Sequence, residues 1–121
     1  GVFPLILTDE GKHDLLIGTF PEKFMVGHWH GDMPGITAES KILALSEGCP
    51  RQIIRYASNI FGFQCHFEFT PVAIEGMIKN NAHELNEYKN LPYIQTADQL
   101  TGYDFTKMNE FLFKFLDNFL Q

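Results

Sequence analysis

The chain has 121 residues, of which 45% are apolar and 20% charged, with a formal charge of −6. That is the size of one modest domain with a soluble globular composition, and it excludes a disordered chain or a repeat array. The acidic balance also excludes a nucleic-acid role, which needs clustered Lys and Arg against phosphates, and no apolar run approaches the roughly 20 residues of a membrane span.

Gly1-Val2-Phe3-Pro4 carries neither an initiator Met nor a basic leader. The expectation is a chain without a signal peptide that begins elsewhere than at a natural start. Val2–Thr8 reads as a strand closed by a turn at Thr8-Asp9-Glu10-Gly11, and His13–Gly18 as one helical turn before Phe20-Pro21. Phe24–His30 is a second strand that stops at Gly31-Asp32, and Ile42–Ser46 a third that ends at Glu47-Gly48-Cys49-Pro50. Gln52–Tyr56 and Ile60–Cys65 flank Ala57-Ser58-Asn59 as a hairpin.

From Thr70 the apolar period lengthens from two to about 3.6 residues. Thr70 is a good N-cap, and Pro71 suits the first helical position, where its missing N–H costs nothing. Val72, Ile74, Met77, Ile78 and Leu85 form the apolar stripe of that helix, which Leu91-Pro92 ends. Residues 89–104 are the loosest stretch. A last helix over Phe105–Leu120 places Met108, Leu112, Phe115, Leu116 and Phe119 on one face. Its phenylalanines cover a wide arc, as on a helix that packs on two surfaces, one of them a second subunit.

The segment with most chemistry is Phe61-Gly62-Phe63-Gln64-Cys65-His66-Phe67-Glu68-Phe69-Thr70-Pro71. In extended backbone, residues two apart point the same way, so His66 and Glu68 meet at the end of a strand. A carboxylate beside one imidazole nitrogen fixes the tautomer and leaves the other nitrogen to activate a nucleophile. The same His-x-Glu spacing also occurs in plain surface pairs. Cys65 adjoins His66 and faces the other way, as a small buried residue. Cys49 reads as structural, and both cysteines as reduced thiols of a cytoplasmic protein. His28, His30 and His66 lack further ligands at metal-like spacing, so neither metal nor cofactor is expected. Trp29 reads as a packing residue and Asp32 as a turn residue.

Gly62-Phe63-Gln64-Cys65-His66-Phe67-Glu68 resembles the Gly-x-Gln-x-His-Pro-Glu motif of class I glutamine amidotransferases. Gly27-His28-Trp29-His30-Gly31-Asp32 resembles that family's His-Gly-Asp loop. The stretch from Leu43 to Gln52, followed by Ile54-Arg55-Tyr56, resembles the strand, Ser-Glu turn and aromatic strand between the two motifs. The three matches stand in the family's order over residues 1–80, with a flavour nearest the GMP-synthase-like subgroup.

The resemblance implies a flavodoxin-like α/β fold, here the C-terminal part of the domain, and a Cys-His-Glu triad that hydrolyses L-glutamine and passes ammonia to a synthetase or other acceptor. By motif, His66 is the base and Glu68 its orienter, while Trp29, His30, Gly31 and Asp32 border the substrate pocket. Residues 1–88 belong to that domain, and 89–121 supply a connection and a helix that packs on it or on a partner subunit.

Two departures stand out. Phe67 replaces the motif's proline, which would have fixed φ, and nothing in the 121 residues matches the family's Gly-x-Cys-x-Gly nucleophile elbow. The chain is thus expected to be inactive alone. Two other readings stay open: a γ-glutamyl amide hydrolase of the same fold, and an inactive homologue that serves as a binding module. A partial domain would also leave strand edges free for pairing between copies.

Overall fold

The computed structural model describes residues 1–121. Five strands form one sheet in the order β2-β1-β3-β4-β5, with β1 at Val2–Leu7, β2 at Lys23–Gly27, β3 at Lys41–Ser46, β4 at Cys49–Ala57 and β5 at Ile60–Phe63. Every pairing is antiparallel. β1 and β2 run in register from Val2 opposite Gly27 to Ile6 opposite Lys23. Shifts along β3–β4, between Ile42 and Ala44 and again before Ser46, mark irregularities of the kind that bend a strand. The expected hairpin is present, with β4 and β5 closing at Ala57 opposite Ile60.

Five helices complete the chain: α1 at Asp9–His13, α2 at Pro71–Asn80, α3 at Ala82–Tyr88, α4 at Ala97–Thr101 and α5 at Thr106–Phe119. The turn expected at Thr8–Gly11 is instead the start of α1. Thr8 Oγ1 accepts from Gly11 N at 3.0 Å, which caps the helix. Gly11 then lies so close to β3 that a Cβ would overlap the Leu43 carbonyl, so only glycine fits this approach.

The single helix expected after Thr70 is two, because the chain leaves helical geometry at Asn81 (φ −120°). Asn81 closes α2 with two bonds to one carbonyl, its backbone N–H at 2.9 Å and its side-chain Nδ2 at 2.8 Å both donating to Met77 O. The stretch expected to be loosest holds α4, closed by a capping box between Thr96 and Gln99 and anchored by buried Leu100.

Two apolar cores lie side by side. The larger joins Leu5, Leu7, Phe24, Val26, Leu43, Ala44 and Ile53 of the sheet to Ile17 and Phe20 of the turn after α1, to Cys65 and Phe67, and to Phe111 and Phe115 of α5. The smaller holds Val2, Phe69, Ile74, Leu100, Phe105 and Met108. The packed face of α5 is therefore Met108, Phe111 and Phe115, while Leu116 and Phe119 lie at its exposed edge. Each buried phenylalanine contributes roughly 1.5–3 kcal/mol of transfer free energy, so α5 is a principal holder of the sheet. Behind the core, Arg55 Nη1 donates to the buried Asp14 carboxylate at 2.7 Å and ties β4 to the turn after α1.

Candidate active site

His66 and Glu68 sit in the connection between β5 and α2. β5 stops at Phe63, short of the expected Cys65, and the chain to Thr70 is irregular, with bends at Cys65 and Phe67 and an isolated bridge at His66. Side chains still alternate: Cys65, Phe67 and Phe69 are buried, while His66 and Glu68 face outward, 29% and 59% exposed.

The backbone of His66 is fixed by a bridge to the end of β2. Gly27 N donates to His66 O at 2.9 Å, and His66 N donates to Gly27 O at 2.8 Å. Gly27 is a steric requirement here, since a Cβ would overlap the Phe69 ring.

The imidazole of His66 meets Glu68 Oε1 through Nδ1 at 2.7 Å. A carboxylate only accepts, so Nδ1 carries the proton and Nε2 is left with its lone pair. The ring also stacks on Phe69, with centroids 4.7 Å apart and planes 9° from parallel. Thus one contact fixes the tautomer and the other fixes the plane of the ring. Such a histidine can take a proton from a nucleophile at Nε2 and return it to a leaving group.

The second sequence motif continues from β2. His28 follows the Gly27 bridge, and its Nε2 donates to Phe3 O at 3.3 Å. Burial, the largest cause, lowers its pKa to about 4, so the ring is neutral at pH 7. Trp29 packs against the smaller core. His30 uses both nitrogens: Nδ1 donates to Asp32 O at 2.9 Å, and Nε2 lies 3.4 Å from the Gln52 amide nitrogen. Gly31 and Asp32 are exposed.

His28 and His30 border two cavities. One, of about 150 Å³, is lined also by Phe3, Lys23, Ser46, Gln52 and Tyr93. The other, of about 90 Å³, is lined also by Trp29, Tyr88 and Ile94. His66 and Glu68 line neither, so the two motifs meet through the Gly27–His66 backbone bridge and not in a shared cavity.

Cys65 is held in the larger core, its thiol 3.7 Å from Gln52 O and its pKa pushed up by burial. Such a sulfur stays a thiol and points away from His66, as a core residue does. Cys49 is a free thiol too, buried at the start of β4 rather than in a turn.

Three residues with a bearing on the site were not among the residues expected to form it. Gln52, 1% exposed, donates to Ser46 Oγ at 2.9 Å, while its Oε1 has no partner. A glutamine beside Ile53 and Ile54 was the sequence signal for a buried polar contact. Phe69 had no signal beyond its place after Glu68. Asn109 of α5 donates through Nδ2 to the carbonyls of Phe67 and Phe69, and a polar residue on an amphipathic helix ordinarily means no more than a solvated edge.

This architecture is shared with about half of each of two solved glutamine amidotransferases. The whole chain superposes on 50% of a glutamine amidotransferase from Thermotoga maritima with a TM-score of 0.83 at 18% identity. Likewise, 99% of it superposes on 51% of one from Methylobacillus flagellatus with a TM-score of 0.85 at 18% identity. At that identity the likeness is one of fold.

Nearer relatives are alike in sequence as well. The glutamine amidotransferase-like protein YfeJ of Salmonella typhimurium is 44% identical over 117 residues, 97% of this chain and 49% of that protein. The crystal structure of SMU.1228c matches at 39% identity with a TM-score of 0.95, over all of this chain and 52% of that one. No family model matches the chain. It spans about half the length of these relatives; over that half it is similar in sequence to a protein named glutamine amidotransferase-like and shares its fold with solved glutamine amidotransferases. No helix is long and apolar enough to cross a membrane.

Proposed function

We propose that this chain is the C-terminal part of a glutamine-hydrolysing amidotransferase domain and supplies its base, His66, and orienter, Glu68. The observation that carries the reading is the 2.7 Å bond between His66 Nδ1 and Glu68 Oε1, which directs the lone pair of Nε2 outward. The nucleophile is a cysteine from a part of the protein outside these 121 residues, brought against Nε2.

His66 takes the thiol proton as sulfur attacks the side-chain amide carbon of glutamine. It then gives that proton to the departing nitrogen, so ammonia leaves and a thioester remains. Water, deprotonated by the same imidazole, hydrolyses the thioester to glutamate and restores the thiol. Glu68 stabilises the imidazolium at both stages. The Trp29–Asp32 loop, joined to the dyad through the Gly27 bridge, borders the glutamine. The ammonia passes to an acceptor domain or subunit.

The test is ammonia release from L-glutamine by the full-length protein and its His66→Ala variant. Loss of the base should lower kcat by about 10³-fold or more. A full-length protein that leaves glutamine intact, with or without candidate acceptors, would end this reading. Hydrolysis of γ-glutamyl amides would then point to a peptidase-like relative of the same fold.

A further inference from the structure

We infer that Asn109 is a positioning residue for the His66–Glu68 pair, acting through the backbone on either side of the glutamate; the catalytic meaning of this inference rests on the reading above. The segment that carries the pair straddles the seam between the two cores. Phe67 is buried in the larger and Phe69 in the smaller, with Glu68 between them. On α5 the same seam falls between Met108, in the smaller core, and Phe111, in the larger. Asn109 stands there, and its single amide group donates to both flanking carbonyls, Phe67 O at 2.6 Å and Phe69 O at 3.0 Å.

An Nδ2 group has two hydrogens, and here each has its own acceptor. Two fixed carbonyls, one on each side, determine how the Glu68 Cα–Cβ bond is aimed. Phe69, whose carbonyl is the second of these, is also the ring on which His66 stacks. One side chain on α5 therefore constrains both partners of the pair while touching neither.

The need for such a clamp lies in the local sequence. Phe67 leaves φ free where a proline would lock it. Gln64 N bonds to Gln52 O, and His66 N and O to Gly27, so ladder-like bonds hold the chain only as far as His66. Beyond it, no backbone bond fixes the carbonyls of Phe67 and Phe69. Asn109 replaces them with a contact from a helix anchored in both cores. Asn109→Leu keeps the volume and the helix while deleting the donors, and Asn109→Asp sets an acceptor against two acceptors.

The experiment uses the full-length protein with both variants beside wild type and His66→Ala. Steady-state kinetics gives the first readout. The expectation is a kcat lowered about 10- to 100-fold, the order that a misplacement of about 1 Å costs, with KM within twofold and folding unchanged by circular dichroism. The second readout needs no turnover: the ¹⁵N and ¹H resonances of the His66 ring by NMR. The Nδ1 proton bonded to Glu68 should be seen in wild type and lost to exchange in both variants.

Folded variants with wild-type kcat and an unchanged Nδ1 proton would overturn the inference. If wild type releases no ammonia, the amidotransferase reading fails on the kinetics, and the Nδ1 proton still decides whether Asn109 positions the pair. If one variant fails to fold, the other carries the comparison. If neither folds, Asn109 is a structural residue and the inference is overturned.

Discussion

The segment around His66 and the loop around Asp32 leave the same backbone bridge in opposite directions and are held in opposite ways. From His66 to Phe69, alternate side chains enter two cores, and the carbonyls of Phe67 and Phe69 are bonded to α5. From Gly31 to Ile36, only Pro34 is not exposed, and Met33 and Ile36 face solvent. The bond from His30 to Asp32 O is local, and side chains of β4 tie the loop back to the sheet, Arg51 Nη1 at Pro34 O and Tyr56 Oη at Gly35 O. Groups that must be aimed sit on backbone that cannot move without disturbing a core. Gly31 and Asp32, which would border a substrate, sit instead on exposed backbone that enters neither core.

The sharpest way to break that comparison is at the bridge itself. Gly27→Ala should force the Phe69 ring aside, since the new Cβ would overlap it, and His66 stacked on that ring would lose its plane. Overpacking of this kind costs about 1–3 kcal/mol, and kcat should fall about tenfold or more. Chemical unfolding and ammonia release on the same preparation check both. A variant with native stability and full activity would show that the packing at His66 is looser than described.

A pH experiment separates the buried start of the second motif from its exposed end. His28 has a pKa of about 4 in the fold against 6.5 for an ordinary histidine. Below 6.5 the unfolded chain thus takes up a proton that the fold refuses. The stability associated with a neutral His28 is full above about pH 6.5 and drains as pH falls toward 4, by at most about 3 kcal/mol. Unfolding midpoints at pH 7 and pH 5 should differ more for wild type than for His28→Gln. Equal slopes would mean that His28 is better hydrated than its burial implies.

The smallest effect is expected at Asp32, where the side chain is exposed. Asp32→Ala should change stability by less than about 0.5 kcal/mol. If the loop borders the substrate, KM for glutamine should rise severalfold with kcat nearly unchanged, the mark of binding lost equally from ground and transition states. A large drop in kcat would instead move Asp32 into the chemistry and blur the contrast between the two regions.

Local rules sufficed for several elements. The strands and the hairpin were visible because short apolar runs are interrupted by polar turn residues. The start of α2 was visible because Thr70-Pro71 is a capping signal that acts within four residues. The His66–Glu68 contact was also legible, since side chains alternate along this stretch even though it is irregular.

What the sequence could not show depended on partners far along the chain. Gly11 looked like a turn glycine until Leu43 was found against it, and the break at Asn81 turned one apolar stripe into two helices. Asn109 looked like one more polar residue on an amphipathic helix. Only the tertiary structure sets it on the seam between two cores, 42 residues from one carbonyl it holds and 40 from the other. Side-chain alternation and capping are decided over a few residues and leave their mark in any short window. A hydrogen bond that closes such a span depends on where two packed surfaces meet, and that is decided by the whole chain at once.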